Sequence, residues 1–409
     1  MENSIYTNTF SKENVIRAFN DCAENTSWKP SVAHLGNKTT LSSLMLYENL
    51  KNKTFEPSNE FNNFTINERG KLRDISAPKY LDRVFQKCLC DNYLVDKLRK
   101  SLIENNFACL KGKGVNYARE RFARDLERCL LMTSEKAIYV LIVDFRKYFY
   151  SINHEILKFR LSKIIEDEDI KEILFKTIDT FGEKGLGLGS QVSQILSVYF
   201  ANAFDHYIVN YKHFKYFGRY MDDSYIIYDD LKTLKELISE IRYFCKKFLD
   251  LDLSENKIKI TKIYKSNQKS NVVFIKCRYT VLNGKIISTE HSDPKFFKRE
   301  ARRLFSFKEK LINGYLDISE IEKLYKSWRF GVLNSFTNPT KVFFMDIRYI
   351  NTFGSDSFLN TVKTKKYYKN DFTKNKSILK WLLYNSNIRI ILKQSYEAMK
   401  VINYVKSTF

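Results

Sequence analysis

The chain runs to 409 residues, enough for roughly two to four compact units; 44% hydrophobic content supplies real cores, and only 13 Gly and 5 Pro exclude a linker-rich chain. Its 69 Lys and Arg against 47 Asp and Glu give a formal charge of +22, which favours an anionic partner (nucleic acid or an acidic membrane surface), although an AT-rich genome writes the same Lys-rich bias. Seven irregularly spaced Cys without a Cys-x-x-Cys pair, a start (MENSIYTNTF) without signal-peptide character and no run of about 18 apolar residues predict a cytoplasmic protein with free thiols, no zinc site and no membrane partner.

Residues 10–60 read as helical and polar, punctuated by Pro30 and Pro57. Residues 61–77 alternate apolar and polar about a turn at Asn67 to Gly70, which predicts a β-hairpin. From Lys79 to about Asn105 the period becomes helical, with Leu81, Val84, Phe85, Cys88 and Leu89 on one face. A basic loop broken by Gly112 and Gly114 follows, then a helix to about Met132. Residues 137–145 (AIYVLIVDF) are short, apolar and β-branched, so they predict a buried strand ending in an acid. Helices are expected over 153–180, and a glycine-rich loop (GEKGLGLGS) then leads into the helix QVSQILSVYFANAFDHYI.

Residues 215–230 (KYFGRYMDDSYIIYDD) read as a hairpin with Met221, Asp222 and Asp223 at its tip. A helix over 231–249, a basic strand over 254–263 and strands over 272–281 and 285–289 follow, and beyond His291 the chain is helical and basic. Strands and helices that intermix without strict alternation predict an α+β fold with helices on one face of the sheet.

The acids carry the chemistry. Asp144 ends an apolar strand, where an unpaired buried carboxylate is costly. Asp222 and Asp223 are adjacent and repel each other, so one would take up a proton unless a cation sits between them. Two divalent ions about 3.5–4 Å apart, held by hard carboxylate oxygens, are what nucleotidyl transfer requires. An Asp pair at a turn is otherwise an ordinary solvated turn, as Asp229 and Asp230 are expected to be.

GRYMDDSYII resembles the catalytic hairpin of reverse transcriptases, whose signature is Tyr-x-Asp-Asp, and VDFRKYFYSINHEIL resembles their first catalytic motif. The resemblance implies a right-hand polymerase with fingers, palm and helical thumb. Asp144, Asp222 and Asp223 would be the catalytic metal ligands, the Phe145 carbonyl a further ligand, and two Mg²⁺ ions (or Mn²⁺) the cofactors. Phe149 matches the aromatic steric gate that selects deoxynucleotides. KLRDISAPKYLDRVFQKCL resembles the fingers motif of bacterial members, which gives Lys71 and Arg73 to the incoming triphosphate. Lys111 and Lys113, in LKGKGV, would add phosphate contacts, and Lys257, in SENKIKI, matches the general acid for pyrophosphate. VVFIKCRY sits where the family has its primer-grip hairpin, and LYKSWRFGVLNSF resembles a thumb helix, with Trp328 and Arg329 toward the nucleic-acid backbone.

One segment departs from intron and retroviral enzymes. GLGLGSQVSQIL lacks their Pro-Gln-Gly and carries Ser193-Gln194 in place of Ser-Pro, with Gln191 and Gln194 as candidate nucleotide or template contacts. That form resembles reverse transcriptases of diversity-generating retroelements and the bacterial unknown-group enzymes associated with phage defence. The implied domains are an N-terminal helical extension (1–60), fingers (61–135), palm (136–290), thumb (291–355) and a basic helical C-terminal extension (356–409).

The implied function is RNA-directed DNA synthesis from dNTPs on a structured non-coding RNA, giving a cDNA in antiphage defence. A diversity-generating retroelement enzyme and a template-independent or protein-primed polymerase of abortive-infection type are the alternatives. A catalytically dead RNA-binding protein would not keep all three acids. A nucleotide cyclase would need neither the fingers motif nor the gate.

Overall fold

The computed structural model describes residues 4–24, 39–68, 71–266, 268–290, 296–335 and 340–353. The chain divides into two compact units, one of Met1–Ile275 with Tyr279–Ile286 and one of Lys276–Arg278 with the residues from Ile287 onward.

In the first unit the expected hairpin forms from β1 (Phe61–Glu68) and β2 (Lys71–Pro78), with Asn67 opposite Leu72. The middle of the predicted turn, Arg69 and Gly70, lies outside the described residues. Helix Tyr80–Leu89 buries Val84, Phe85, Cys88 and Leu89, whereas Leu81, expected on that face, is exposed in the first turn.

The central sheet contains β3 (Ala137–Asp144), β4 (Tyr216–Tyr220), β5 (Asp223–Tyr228) and β6 (Lys259–Tyr264) in the order β4-β5-β3-β6, antiparallel throughout. Successive side chains of a strand point to opposite faces. On one face Leu141, Val143, Phe217 and Ile226 join a core with Leu196, Phe200 and Phe204 and with Leu237 and Ile241 of helix Leu231–Leu249. On the other, Tyr225 meets Phe122 of helix Val115–Met132 edge-on, ring centroids 4.8 Å apart. Helices therefore cover both faces, where one was expected. The unbroken apolar run of β3 reflects this, since a strand buried on both sides loses its alternation. Each fully buried Leu, Val or Phe contributes about 1.5–3 kcal/mol.

Helix Leu231–Leu249 has the predicted bounds. Asp230 accepts hydrogen bonds from the Lys232 and Thr233 amides at its N-terminus, and Asp250 at φ 50° ends it. Strands β7 (Ser270–Phe274), β8 (Cys277–Leu282) and β9 (Lys285–Glu290) form a three-stranded sheet in that order.

The second unit contains helices Phe296–Ile312, Ile318–Ser335 and Thr340–Phe353 around Leu304, Phe307, Ile321, Tyr325, Met345 and Tyr349. The predicted C-terminal extension lies outside the described residues. No described helix is long and apolar enough to cross a membrane.

Candidate active site

Three carboxylates converge at one end of the central sheet. Asp144 is the last residue of β3 and pairs in register with Asp223, the first residue of β5, so the two side chains share a face. Tyr220 pairs with Asp223, which leaves Met221 and Asp222 as a two-residue loop. Met221 takes φ 55° there. Tight hairpin loops of this length demand positive φ, and a non-glycine residue in that region costs about 1–3 kcal/mol. One carboxylate oxygen from each of Asp144, Asp222 and Asp223 lies within 4.8 Å of the others.

Crowding these charges shifts their protonation. Burial pushes the pKa of Asp223 up to about 7, and the charges of Asp222 and Asp144 and a hydrogen bond with Asp144 add to it, against a lowering by Lys257. The Lys257 ammonium donates to Asp144 Oδ2. Burial works against the lysine's charge, but its bond to Asp144 and the surrounding acids outweigh that and raise its pKa. The backbone sets this contact: the Ser254 amide donates to the Asp144 carbonyl at 2.8 Å, and the Lys257 amide to the Ser254 carbonyl at 2.8 Å.

The donor set suits hard divalent cations. Three carboxylates converge with one lysine. Phe145, whose carbonyl was expected as a further ligand, directly follows Asp144, and its ring is buried against Tyr148 at 5.2 Å.

Phe149 is half-buried in the short helix Tyr148–Ser151, which Lys147 at φ 46° precedes. The glycine-rich loop joins this turn to β2. The Phe149 carbonyl accepts from the Leu186 amide at 2.7 Å, and the Leu188 carbonyl from the Ser76 amide at 2.8 Å. Gly185, at φ 87°, passes so close that a Cβ would sit 2.9 Å from the Tyr150 backbone; at Gly189, φ 113°, it would meet Ile75 Cγ2 at 2.9 Å.

The family model described as reverse transcriptase (RNA-dependent DNA polymerase) matches residues 57–290, more than half of the chain. The chain belongs to the reverse transcriptase family. No curated protein matches the sequence. Among solved structures, apo telomerase from Candida tropicalis is similar at 14% identity and a TM-score of 0.44, over 62% of this chain and 53% of its own. Telomerase from Candida albicans with a fragment of telomeric RNA is similar at 13% and 0.41, over 79% and 64%. The chain thus spans less than two thirds of either telomerase chain, and similarity at that level adds nothing to the family assignment.

Lys71 opens β2, and its side chain lies outside the described residues; Arg73 is half-buried on the same strand. Gln191 and Gln194 line a cavity of about 380 Å³ with Arg83, Gln86 and Lys87, and Gln191 Nε2 also donates to Asp91 at 3.0 Å. Lys111 is exposed, whereas Lys113 folds back to donate to the carbonyls of Glu104 and Asn106. In the second unit Trp328 stacks on Tyr325 at 5.3 Å. The Arg329 guanidinium, expected on nucleic acid, is instead paired with buried Asp346 at 3.0 Å. Asp229 accepts from Thr133 Oγ1 at 3.0 Å and Asp230 caps a helix, so this second Asp pair is structural.

Sequence reasoning missed Arg219 and Asp205, which are both fully buried and paired at 2.6 Å. The signal was present: an arginine inside an apolar strand requires an acid. Nothing in the spacing names Asp205 as that acid.

Proposed function

We propose that the chain is an RNA-directed DNA polymerase that extends a primer by two-metal nucleotidyl transfer at Asp144, Asp222 and Asp223. The observation that carries this is the convergence of three carboxylates at the edge of the central sheet, where burial and the charges of Asp222 and Asp144 raise the pKa of Asp223. Two Mg²⁺ ions, or Mn²⁺, held by these carboxylates and the Phe145 carbonyl would acidify the primer hydroxyl and offset charge on the transferred phosphate.

The chain's own residues supply the rest. Asp144 and Asp223 give up the hydrogen bond between them, and Lys257 is freed from Asp144 to donate a proton to the departing pyrophosphate. Phe149 sits under the sugar and excludes a ribose 2′-hydroxyl. Lys71 and Arg73 hold the triphosphate. Gln191 and Gln194, in the cavity beside Arg83, contact template or nucleotide, and exposed Lys111 tracks a phosphate backbone. Residues 61–135 are then the fingers, 136–290 the palm and 291–355 the thumb, with 1–60 and 356–409 as extensions.

The template is a structured non-coding RNA, the product a cDNA, and the setting antiphage defence. The support for this is the Ser193-Gln194 departure, which equally favours a diversity-generating retroelement enzyme. Sequencing the RNA that co-purifies with the protein, together with the DNA it makes, tests both. Products that track one folded RNA favour the first reading, products that track a template repeat favour the second, and random or homopolymeric products defeat both. Full synthesis by the Asp222→Ala, Asp223→Ala double variant would refute the site.

A further inference from the structure

Arg219 is among the largest fully buried side chains of the described residues, and it lies three positions before Asp222. Its Nε and Nη2 grip both oxygens of buried Asp205, at 2.6 and 2.7 Å. That bidentate pair alone would neutralise the charge. Two further bonds go elsewhere: Nη2 donates to the Val198 carbonyl at 2.9 Å and Nη1 to the Met221 carbonyl at 2.7 Å. Val198 lies in the last turn of helix Gln191–Phe200, where carbonyls lack helical partners. The backbone of Arg219 is fixed as well, its amide donating to the Asn105 carbonyl and its carbonyl accepting from the Phe107 amide, both at 3.0 Å.

The bond to Met221 is the informative one. The peptide between Met221 and Asp222 is planar, so holding the Met221 carbonyl also fixes the direction in which Asp222 leaves the turn. Met221 holds φ 55°, a costly conformation for a non-glycine residue, and the bond to its carbonyl holds the turn in it. We propose that Arg219 is a positioning residue for the metal site, fixing Asp222 through the Met221 carbonyl and anchoring it to Asp205 and to the end of helix Gln191–Phe200. The proposal rests on Asp144, Asp222 and Asp223 holding divalent cations. Mg²⁺ demands near-ideal octahedral geometry at about 2.0–2.1 Å, whereas Ca²⁺ accepts irregular ligation at about 2.3–2.6 Å. A swung Asp222 therefore penalises Mg²⁺ more than Ca²⁺.

The test uses the full chain with two variants. Arg219→Lys keeps a charge on Asp205 but cannot reach both carbonyls. Arg219→Gln with Asp205→Asn leaves no buried charge. Melting curves report folding, calorimetric titrations with Mg²⁺ alone and Ca²⁺ alone report the site, and Asp222→Asn is the reference. The expected result is cooperative melting, Mg²⁺ affinity about 10- to 100-fold weaker and Ca²⁺ affinity little changed. On a primer–template, kcat should fall with the dNTP KM unchanged. Folded variants that bind Mg²⁺ as wild type does would overturn the positioning role alone. Variants that no longer melt cooperatively would show Arg219 holding the fold, not the turn, and overturn it too. If wild type and Asp222→Asn bind Mg²⁺ alike, the metal reading fails and takes the positioning role with it.

Discussion

Lys257 and Asp144 form an ion pair inside the acid cluster, the lysine ammonium donating to Asp144 Oδ2. On the proposed reading the lysine occupies an oxygen that a divalent cation would use, and it would have to move for the cation to bind. A Lys257→Met substitution removes the competitor and, with it, the proposed proton donor. Apparent Mg²⁺ affinity should rise at pH 8 while the polymerisation rate falls about 10²-fold or more, read from Mg²⁺ titrations of single-nucleotide incorporation. An unchanged rate would remove Lys257 from the chemistry.

The raised pKa of Asp223 makes the metal-free protein sensitive to pH. The folded chain holds this proton up to about pH 7, whereas the ordinary carboxyl value is 3.8. Below 3.8 both states are protonated and nothing is lost. Between 3.8 and about 7 the unfolded state sheds the proton first, so folding stability falls as pH rises; above that it levels off. Thermal melts of metal-free protein should decline across this window, Mg²⁺ should reverse the decline, and Asp223→Asn should flatten it. Mg²⁺ binding at pH 6 should also release protons, seen as a calorimetric heat that changes with the buffer's ionisation enthalpy.

Phe149 is half-buried, so trimming it tests the gate without emptying the core. Phe149→Val should lower discrimination between dNTP and rNTP at least tenfold, measured as a ratio of kcat/KM values, with dNTP incorporation little altered. Equal loss on both substrates would make Phe149 a packing residue only.

Two glycines, both at positive φ, compare a clash with backbone and a clash with a side chain. Gly185→Ala drives a methyl into Tyr150 backbone atoms 2.9 Å away, while Gly189→Ala meets the Ile75 side chain, which has more freedom to shift. Both carry about 1–3 kcal/mol from conformation alone, so Gly185→Ala should cost more through its backbone clash and Gly189→Ala less. Melting temperatures of the two variants rank them, and the reverse order would contradict this packing.

Much of the site was legible because its signals are local. An acid at the end of an apolar run, an Asp pair at a tight turn and a hairpin over 61–77 need only the neighbouring residues to be read, and all three stand in the structure. Illegible features depend on distant partners. Arg219 meets Asp205 across 14 positions, Arg329 meets Asp346 across 17, and Lys113 turns back onto Glu104 and Asn106. Basic residues read from a basic sequence default to a ligand, and only the fold reveals which are already engaged. The same limit applies to the second face of the sheet, because Phe122 belongs to a helix whose pattern does not say which strand it covers.

The pairing of Asp144 with Asp223 carries a consequence for how this protein tolerates change. A one-residue slip of β3 against β5 would reverse every side chain of the strand, sending Leu141 and Val143 away from their core and Asp144 away from Asp223. The strand pairing that keeps Leu141 and Val143 in their core is the same ruler that measures the distance between the acids. An insertion or deletion in either strand is therefore expected to abolish folding and catalysis together, so drift in length should be confined to the connections and leave these two strands alone.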